Sequence, residues 1–539
     1  MRLQRVRACP PKARAMPRAP CYDAPNDSGN RASGAGMADQ NHDNSLFIDE
    51  VQRHQRRYAK LIGFTHSTTR AAFIMLIAAV AAVVVANTPA AAPFEEFLHI
   101  EVGFFFGGQL AGMSIAHVIN DLFMALFFLL IGLEIKYEMT VGELTNIRQA
   151  ILPIMGAAGG VLAPIGIYLA FNAANPETAS GWGVPTATDI AFALGILALL
   201  GDRVPSGVRV FLSTLAVADD IIAILVIAIF YGHAPSLGWL AAAAVVMAAL
   251  IVMNRRHVYA LIPYLLVGAV LWYCVLMSGV HATIAGVLLA FAIPTGSRVN
   301  LHSFMDWSGE QVRQAREAFA PEEPVLAQDG YLKTVKDLSR VSRQVVPPAI
   351  RLEHRLHPWV YFLMLPLFAL TNAGVRFVDG DPAAIFSDPV LYGVALGLLL
   401  GKPAGIMLFS FATVKAKAAK LPEGVTWMHM LGAAILGGVG FTMAIFVANL
   451  AFADPAHIAT AKMGILLASL AAGVLGFTFL LVQARGAQRQ GVAFVDPAAE
   501  SADEELEALP TAAREAALEG REMLHDLEED EELDPRGVA

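Results

Sequence analysis

Residues 212–230 read LSTLAVADDIIAILVIAIF, with Asp219 and Asp220 side by side in an otherwise uncharged run. An ionisable side chain within a bilayer is expensive and by default marks function. Whether this run lies in a bilayer follows from its surroundings. The chain has 539 residues, 56% of them hydrophobic and 16% charged. Ordinary globular domains carry roughly 25% charged residues. The apolar excess is also blocked. Ala71–Asn87, Val390–Phe411 and Met463–Val482 hold almost no charge. Stretches of about 18–20 apolar residues read as membrane-spanning helices. Soluble-enzyme and nucleic-acid-binding readings are disfavoured at once.

Outward from the Asp pair, the sequence divides into twelve apolar segments: 69–88, 117–136, 151–172, 184–200, 206–231, 236–253, 258–277, 279–294, 358–375, 390–411, 427–450 and 459–483. The predicted fold is an all-α integral membrane protein of about twelve transmembrane helices. Residues 295–357 read as a polar cytoplasmic loop with one or two short amphipathic helices. Residues 1–65 read as an N-terminal cytoplasmic extension whose first 36 residues are an over-extended start. Residues 485–539 read as an acidic, disordered cytoplasmic tail. The net charge of −9 is uneven: 496–539 carries −13 and 1–36 carries +5. The remaining 459 residues therefore sum to −1. Three cysteines, Cys9, Cys21 and Cys274, make no disulfide framework.

The short loops set the orientation. Those after segments 2, 4, 6 and 10, with their flanks, hold nine basic residues, from Lys136 to Lys420; those after segments 1, 3, 5, 7, 9 and 11 hold one, Arg376. The alternation puts both termini in the cytoplasm.

The few ionisable residues in the apolar segments include Asp121, Glu134, Asp189, Asp219, Asp220, His281 and Lys402. Neighbours on a helix point about 100° apart, so one aspartate of the pair can face a cavity while the other meets a neighbouring segment. Two close, buried carboxylates resist ionising together. Deprotonated, they offer hard oxygen ligands to a small cation. The same atoms then bind a proton or a metal ion, which is the chemistry of an exchanger. Lys402, mid-segment in GLLLGKPAGIMLF, can pair with Asp219 or Asp220.

Asp189 lies in GVPTATDIAFALG, where Pro185 and the Thr-Ala-Thr run disfavour a continuous helix. Segment 11 has a matching weakness in ILGGVGFTMAIF. Interrupted segments in corresponding positions point to a transporter binding site. Segments 3–5 and 10–12 then form two inverted-topology repeats with interrupted helices 4 and 11. His281, in SGVHATIAG, reads on its own as a packing residue. Glu353 and His357, in RLEHRLHPWV, stand four apart and can share a helical face with His354 nearby. Histidine titrates near physiological pH, so a proton sensor is possible there.

LAVADDIIAI, VPTATDIAFALGILALLGDRVP, SGVHATIAGV, RLEHRLHPWV, LPLFALTNAGV, GKPAGI, LPEG and GVGFTMAIFVANLAF together resemble the NhaA family of bacterial sodium/proton antiporters. The resemblance spans 66–484 apart from 295–345. That family is itself a standard example of inverted repeats, so the symmetry is not an independent finding. The resemblance implies a pH-regulated, electrogenic Na+(Li+)/H+ antiporter in the bacterial inner membrane, probed by H+ and Na+ in competition. It implies Asp220 as main sodium ligand and proton carrier, Asp219 as its partner, and Lys402 paired with Asp219 or carrying a proton. Asp189 and Thr188 would stand at the helix crossing and Asp121 near the ion path. Glu134, Glu138, Glu353, His354 and His357 would form the cytoplasmic pH-sensing cluster, with His281 affecting the pH response. A homodimer is implied, with lipid around it and no cofactor, nucleic acid or enzymatic activity. The sequence departs from a familiar member at Tyr137 and Ile350, where that member has basic residues, and in the longer 295–345 stretch.

Three rivals fit less well. An intramembrane aspartyl protease needs YD and GxGD motifs; the Gly-Asp pairs here, at 201–202 and 380–381, lack the earlier glycine. A channel needs a continuous, repeatedly coordinating path. An organic-solute carrier needs more room than the small residues around the aspartates leave.

Overall fold

Within lipid the backbone must satisfy its own hydrogen bonds, as helices or as a closed barrel, and long continuous apolar runs select helices. The computed structural model describes residues 67–106, 109–145, 147–232, 235–297, 299–376, 387–422 and 424–489. The expected 1–65 extension and the part of the expected 485–539 tail beyond residue 489 lie outside these described residues, while residues 485–489 continue a helix rather than opening a disordered tail.

In chain order the elements begin with α1 (Thr68–Ala86), α2 (Ala91–Leu98), β1 (Glu101–Phe106) and β2 (Gln109–Ser114). Then come α3 (Ile115–Thr140) and α4 (Ile147–Asn172). A one-turn helix at Pro176–Ala179 and a 3-10 stretch at Ser180–Thr186 precede α5 (Ile190–Ala198) and α6 (Ser206–Phe230). Next are α7 (Leu237–Arg255), α8 (Leu261–Met277), α9 (Thr283–Ala292), α10 (Leu301–Ala318) and α11 (Asp329–Val345). α12 (Pro348–Trp359) runs through a π-turn into α13 (Leu365–Asn372). The series ends with α14 (Pro389–Lys415), α15 (Trp427–Gly437), α16 (Phe441–Ala451) and α17 (Pro455–Arg489).

Each of the twelve apolar segments holds a helix, and the protein is a helical, multi-pass membrane protein. Among the described residues, eight helices are long and apolar enough to cross a bilayer, or nine if the bent pair α15 and α16 counts as one span. The difference from twelve lies in segments 7–9. α8 and α9 are apolar but short, and the helix entering segment 9 starts ten residues earlier with a polar half.

Two other features depart from expectation. The 295–357 stretch holds two full helices of 18 and 17 residues, α10 and α11, rather than short ones. They pack on each other and bury none of their residues fully. β1 and β2 form an antiparallel hairpin, with Glu101 opposite Ser114 and Phe106 opposite Gln109. An aromatic run followed by Gly107-Gly108 is the sequence signal that could have found it.

Close helix approach sets the frame. α4 crosses α14 where Gly159 and Gly405 meet, and a Cβ on Gly405 would stand 2.0 Å from the Gly159 carbonyl oxygen. Without a hydrophobic drive between helices in lipid, such small-residue contacts and packing hold spans together. Helices also loosen at identifiable places. π-turns occupy Val360–Met364 and Gly397–Gly401. Pro366 and Pro403 follow them, and each proline removes a donor and crowds the carbonyl four residues before it, at Phe362 and Leu399. A third π-turn, Val118–Phe123, has no proline after it.

Candidate ion-binding site

Two broken helices meet in the interior. The first ends its 3-10 half at Thr186, extends through Ala187 and Asp189, and resumes as α5. The second breaks between α15 and α16 at Gly438–Gly440, with a bend of 46°. The breaks are stitched together. Asp189 N–H donates to the Val439 carbonyl at 2.8 Å. Thr188 Oγ1 donates to the Gly437 carbonyl at 3.0 Å, capping the end of α15. A Cβ on Gly438 would stand 2.6 Å from the Leu398 carbonyl oxygen, so this close approach needs glycine.

Asp189 serves two helix starts at once. Its Oδ1 accepts from Phe192 N–H at 3.1 Å, as N-cap of α5. Its Oδ2 accepts from Thr442 N–H at 3.1 Å and from the Thr442 hydroxyl, at the start of α16. Helix starts leave unpaired N–H groups and partial positive charge, and this buried carboxylate meets both. From α17, Ser469 Oγ accepts from Phe441 N–H at 3.0 Å. Lys402 stands at the opposite pole. Its Nζ donates to the Thr186 carbonyl, at the end of the first half-helix, and to Asp219 Oδ2 at 2.7 Å.

Asp189, Asp219, Asp220 and Lys402 are all buried, none more than 2% exposed. Of the two partners the sequence left open for Lys402, the fold selects Asp219. Asp219 Oδ1 and Asp220 Oδ2 have no hydrogen-bond partner among the described residues. Asp220 faces a closed-in cavity of about 10 Å³ with Thr188, Asp189, Tyr361, Phe127 and Met443. That volume holds about one water-sized particle. Its oxygen lining suits a small hard cation or a proton-bearing carboxyl. It offers no thiolate or imidazole for a resident transition metal, and no cluster of metal-holding side chains occurs among the described residues.

Not all the expected residues converge. Asp121, in the π-turn at Val118–Phe123, does not line the cavity. It interacts electrostatically with His117 and His281. His281 pairs through Nε2 with the Tyr231 carbonyl at 2.6 Å, fastening the end of α6. It stands apart from the other candidate pH-sensing residues. Those do gather: Glu134 and Glu138 on α3 interact with Glu353 on α12. Burial raises the Glu353 carboxyl above its ordinary range; neighbouring His354 counters this and Glu138 adds to it. His354 is exposed and His357 half-buried.

Sequence reasoning missed Tyr361, which links these two regions. It lines the cavity, packs its ring 4.4 Å from that of His357, and interacts with Glu134, Asp220, Asp189 and Glu353. Its signal was a hydroxyl in an apolar run, one helical turn beyond His357. Thr442 was also missed, although it sits directly after the glycine break.

Comparison with known proteins points to one family. The family model described as Na+/H+ antiporter 1 matches residues 63–480. The chain is 42% identical over 427 residues to a protein of Wolinella succinogenes named Na(+)/H(+) antiporter NhaA, covering 79% of this chain and 94% of that one. It is 45% identical over 413 residues to the NhaA of Oleidesulfovibrio alaskensis, covering 77% and 91%. It is 42% identical over 426 residues to that of Acidithiobacillus ferrooxidans, covering 78% and 97%.

Proposed function

The chain belongs to the NhaA family of Na+/H+ antiporters, and from that premise we propose that it exchanges sodium for protons across the bacterial inner membrane, with Asp220 as the group both ions contest. The observation that carries this reading is the unpartnered Asp220 oxygen on a buried, ion-sized cavity. Protonated, the carboxyl is neutral and tolerates its burial. Deprotonated, it needs a compensating cation, because an isolated buried charge is costly. Na+ supplies that charge, so the site is stable with either ion and unstable with neither. Alternating access then follows: only the loaded forms cross between the two faces.

Asp219 and Lys402 form the second proton-bearing unit. When Na+ arrives, Asp220 and Lys402 each release a proton and Asp219 turns from the lysine to the cation; when Na+ leaves, Asp220 and Lys402 take protons up again and the Lys402–Asp219 pair re-forms. Two protonatable units against one monovalent cation make the exchange electrogenic, with more protons entering than sodium ions leaving. Asp189, Thr188 and Thr442 hold the two broken helices in register beside the seat. Lithium, smaller and equally hard, is carried too. Asp121 stands near the ion path, and His281, which interacts with it electrostatically, affects the pH response. Glu134, Glu138, Glu353, His354 and His357 set the pH at which exchange begins, through α12 and Tyr361. Both termini are cytoplasmic, and two copies associate.

The test is sodium-induced proton flux in inverted vesicles from about pH 6.5 to 8.5, the titration region of histidine, with potassium as control. Sodium-specific flux that rises with pH is expected. Flux with a flat profile would remove the sensor assignment. Absence of a sodium response at every pH would overturn the reading.

A further inference from the structure

Away from the cavity, α11, the turn leading into α8 and the start of α12 line an open hollow of about 850 Å³. Lys336, Arg340, Arg343, Arg351 and His257 line it, and no carboxylate does. Among the described residues no ion pair involves Lys336, Arg340 or Arg343. Arg351 gives one N–H to the Tyr259 carbonyl at 3.3 Å, and its Nε has no partner. Asp337, on the same helix, lines the neighbouring hollow with Trp307 and Gln311, and Arg340 borders both hollows without an ion pair to it. Four unneutralised cations therefore converge on one concavity. Lys336, Arg340 and Arg343 are spaced by four and then three residues, so they mark a strip about 10 Å long on one helix face. A strip of that length fits an acidic segment better than a single anion.

The same chain carries such a segment. Residues 496–539 hold 16 acidic and 3 basic residues, and 525–534 alone holds seven acids. The tail lies beyond the family match, which ends at residue 480. Reach is no obstacle, since 50 extended residues beyond 489 span up to about 165 Å. Tethering also raises the local concentration to about the millimolar range. Six apolar segments separate the hollow's His257 from the tail, which returns the chain to the same face.

We propose that the acidic C-terminal segment of this chain docks by charge into the basic hollow lined by α11, the turn leading into α8 and the start of α12. The contacts are exposed ion pairs, individually weak and screened by salt. Their consequence reaches inward, because Arg351 shares α12 with Glu353 and His357, and that helix leads to Tyr361 on the ion cavity.

The experiment is carbodiimide cross-linking of the full-length protein in phosphatidylcholine vesicles, read by mass spectrometry. Links from Lys336 to acids of 503–534 are expected at low ionic strength and should vanish at about 1 M salt, where screening acts over about 3 Å. Arg340→Glu with Arg343→Glu leaves Lys336 reactive and should cut the links about tenfold. A labelled peptide of residues 525–534 should bind protein truncated before 496 and lose that binding in the charge-reversed variant. Any of four results would overturn the proposal. These are no Lys336 links at low salt, links unchanged by charge reversal, links formed only between differently labelled copies, or a retained anionic phospholipid that blocks them.

Discussion

Asp219 and Asp220 are sequence neighbours of equal burial, yet the fold gives them different partners. Asp219 holds Lys402 at 2.7 Å, while Asp220 keeps a free oxygen on the cavity. The difference predicts an asymmetry in stability. Lys402→Ala leaves a buried carboxylate without its cation, a loss of about 3–5 kcal/mol. Asp220→Asn removes a charge that had no partner and should cost far less. Thermal unfolding in detergent checks this, and equal destabilisation by both variants would argue against the pairing. A second prediction concerns pH. Burial holds the Glu353 carboxyl above its ordinary range, so it loses its proton at a higher pH than an exposed glutamate. Charge then appears beside Glu134 and Glu138 as pH rises. Glu353→Gln fixes the neutral form, so the half-maximal pH of exchange should move in the alkaline direction. An unchanged profile would show that this group does not set it. At this scale the Asp pair was readable in the sequence because charge is rare in apolar runs. The choice of Asp219 as the lysine's partner, and the place of Tyr361, depend on helix rotation and on contacts across four helices, which spacing along one chain does not encode.

At the scale of elements, the two broken helices are held by backbone and side-chain caps rather than by burial alone. Asp189 accepts from Phe192 N–H, Thr442 N–H and the Thr442 hydroxyl. Asp189→Ala should lose about 1–2 kcal/mol from capping, and should also slow exchange because the crossing loosens beside the seat. The crossing of α4 and α14 gives a sharper case. A methyl group at Gly405 would stand 2.0 Å from a backbone oxygen that cannot rotate away. Gly405→Ala should therefore destabilise by about 1–3 kcal/mol through forced separation of the helices. A wild-type unfolding temperature for this variant would mean that the approach is looser than described. The breaks themselves were legible from Pro185 and from the glycines at 437, 438 and 440. The hairpin of β1 and β2 was not, because a short aromatic run between two spans reads equally as a loop. The lengths of α10 and α11 were underestimated since neither buries an apolar face.

For the whole molecule, bilayer thickness dictates the outline, which is why each apolar segment read from hydropathy holds a helix. It does not dictate function; the proposed function rests on four buried ionisable side chains brought together from the N-cap of α5, from α6 and from α14. The central claim is that Asp220 is the group contested by sodium and protons. Its most direct test is sodium-driven proton flux in proteoliposomes of the Asp220→Asn variant, alongside wild type and with a check that the variant remains folded. The expected result is complete loss of sodium-dependent flux at every pH in a folded protein. Substantial residual exchange in that variant would contradict the assignment.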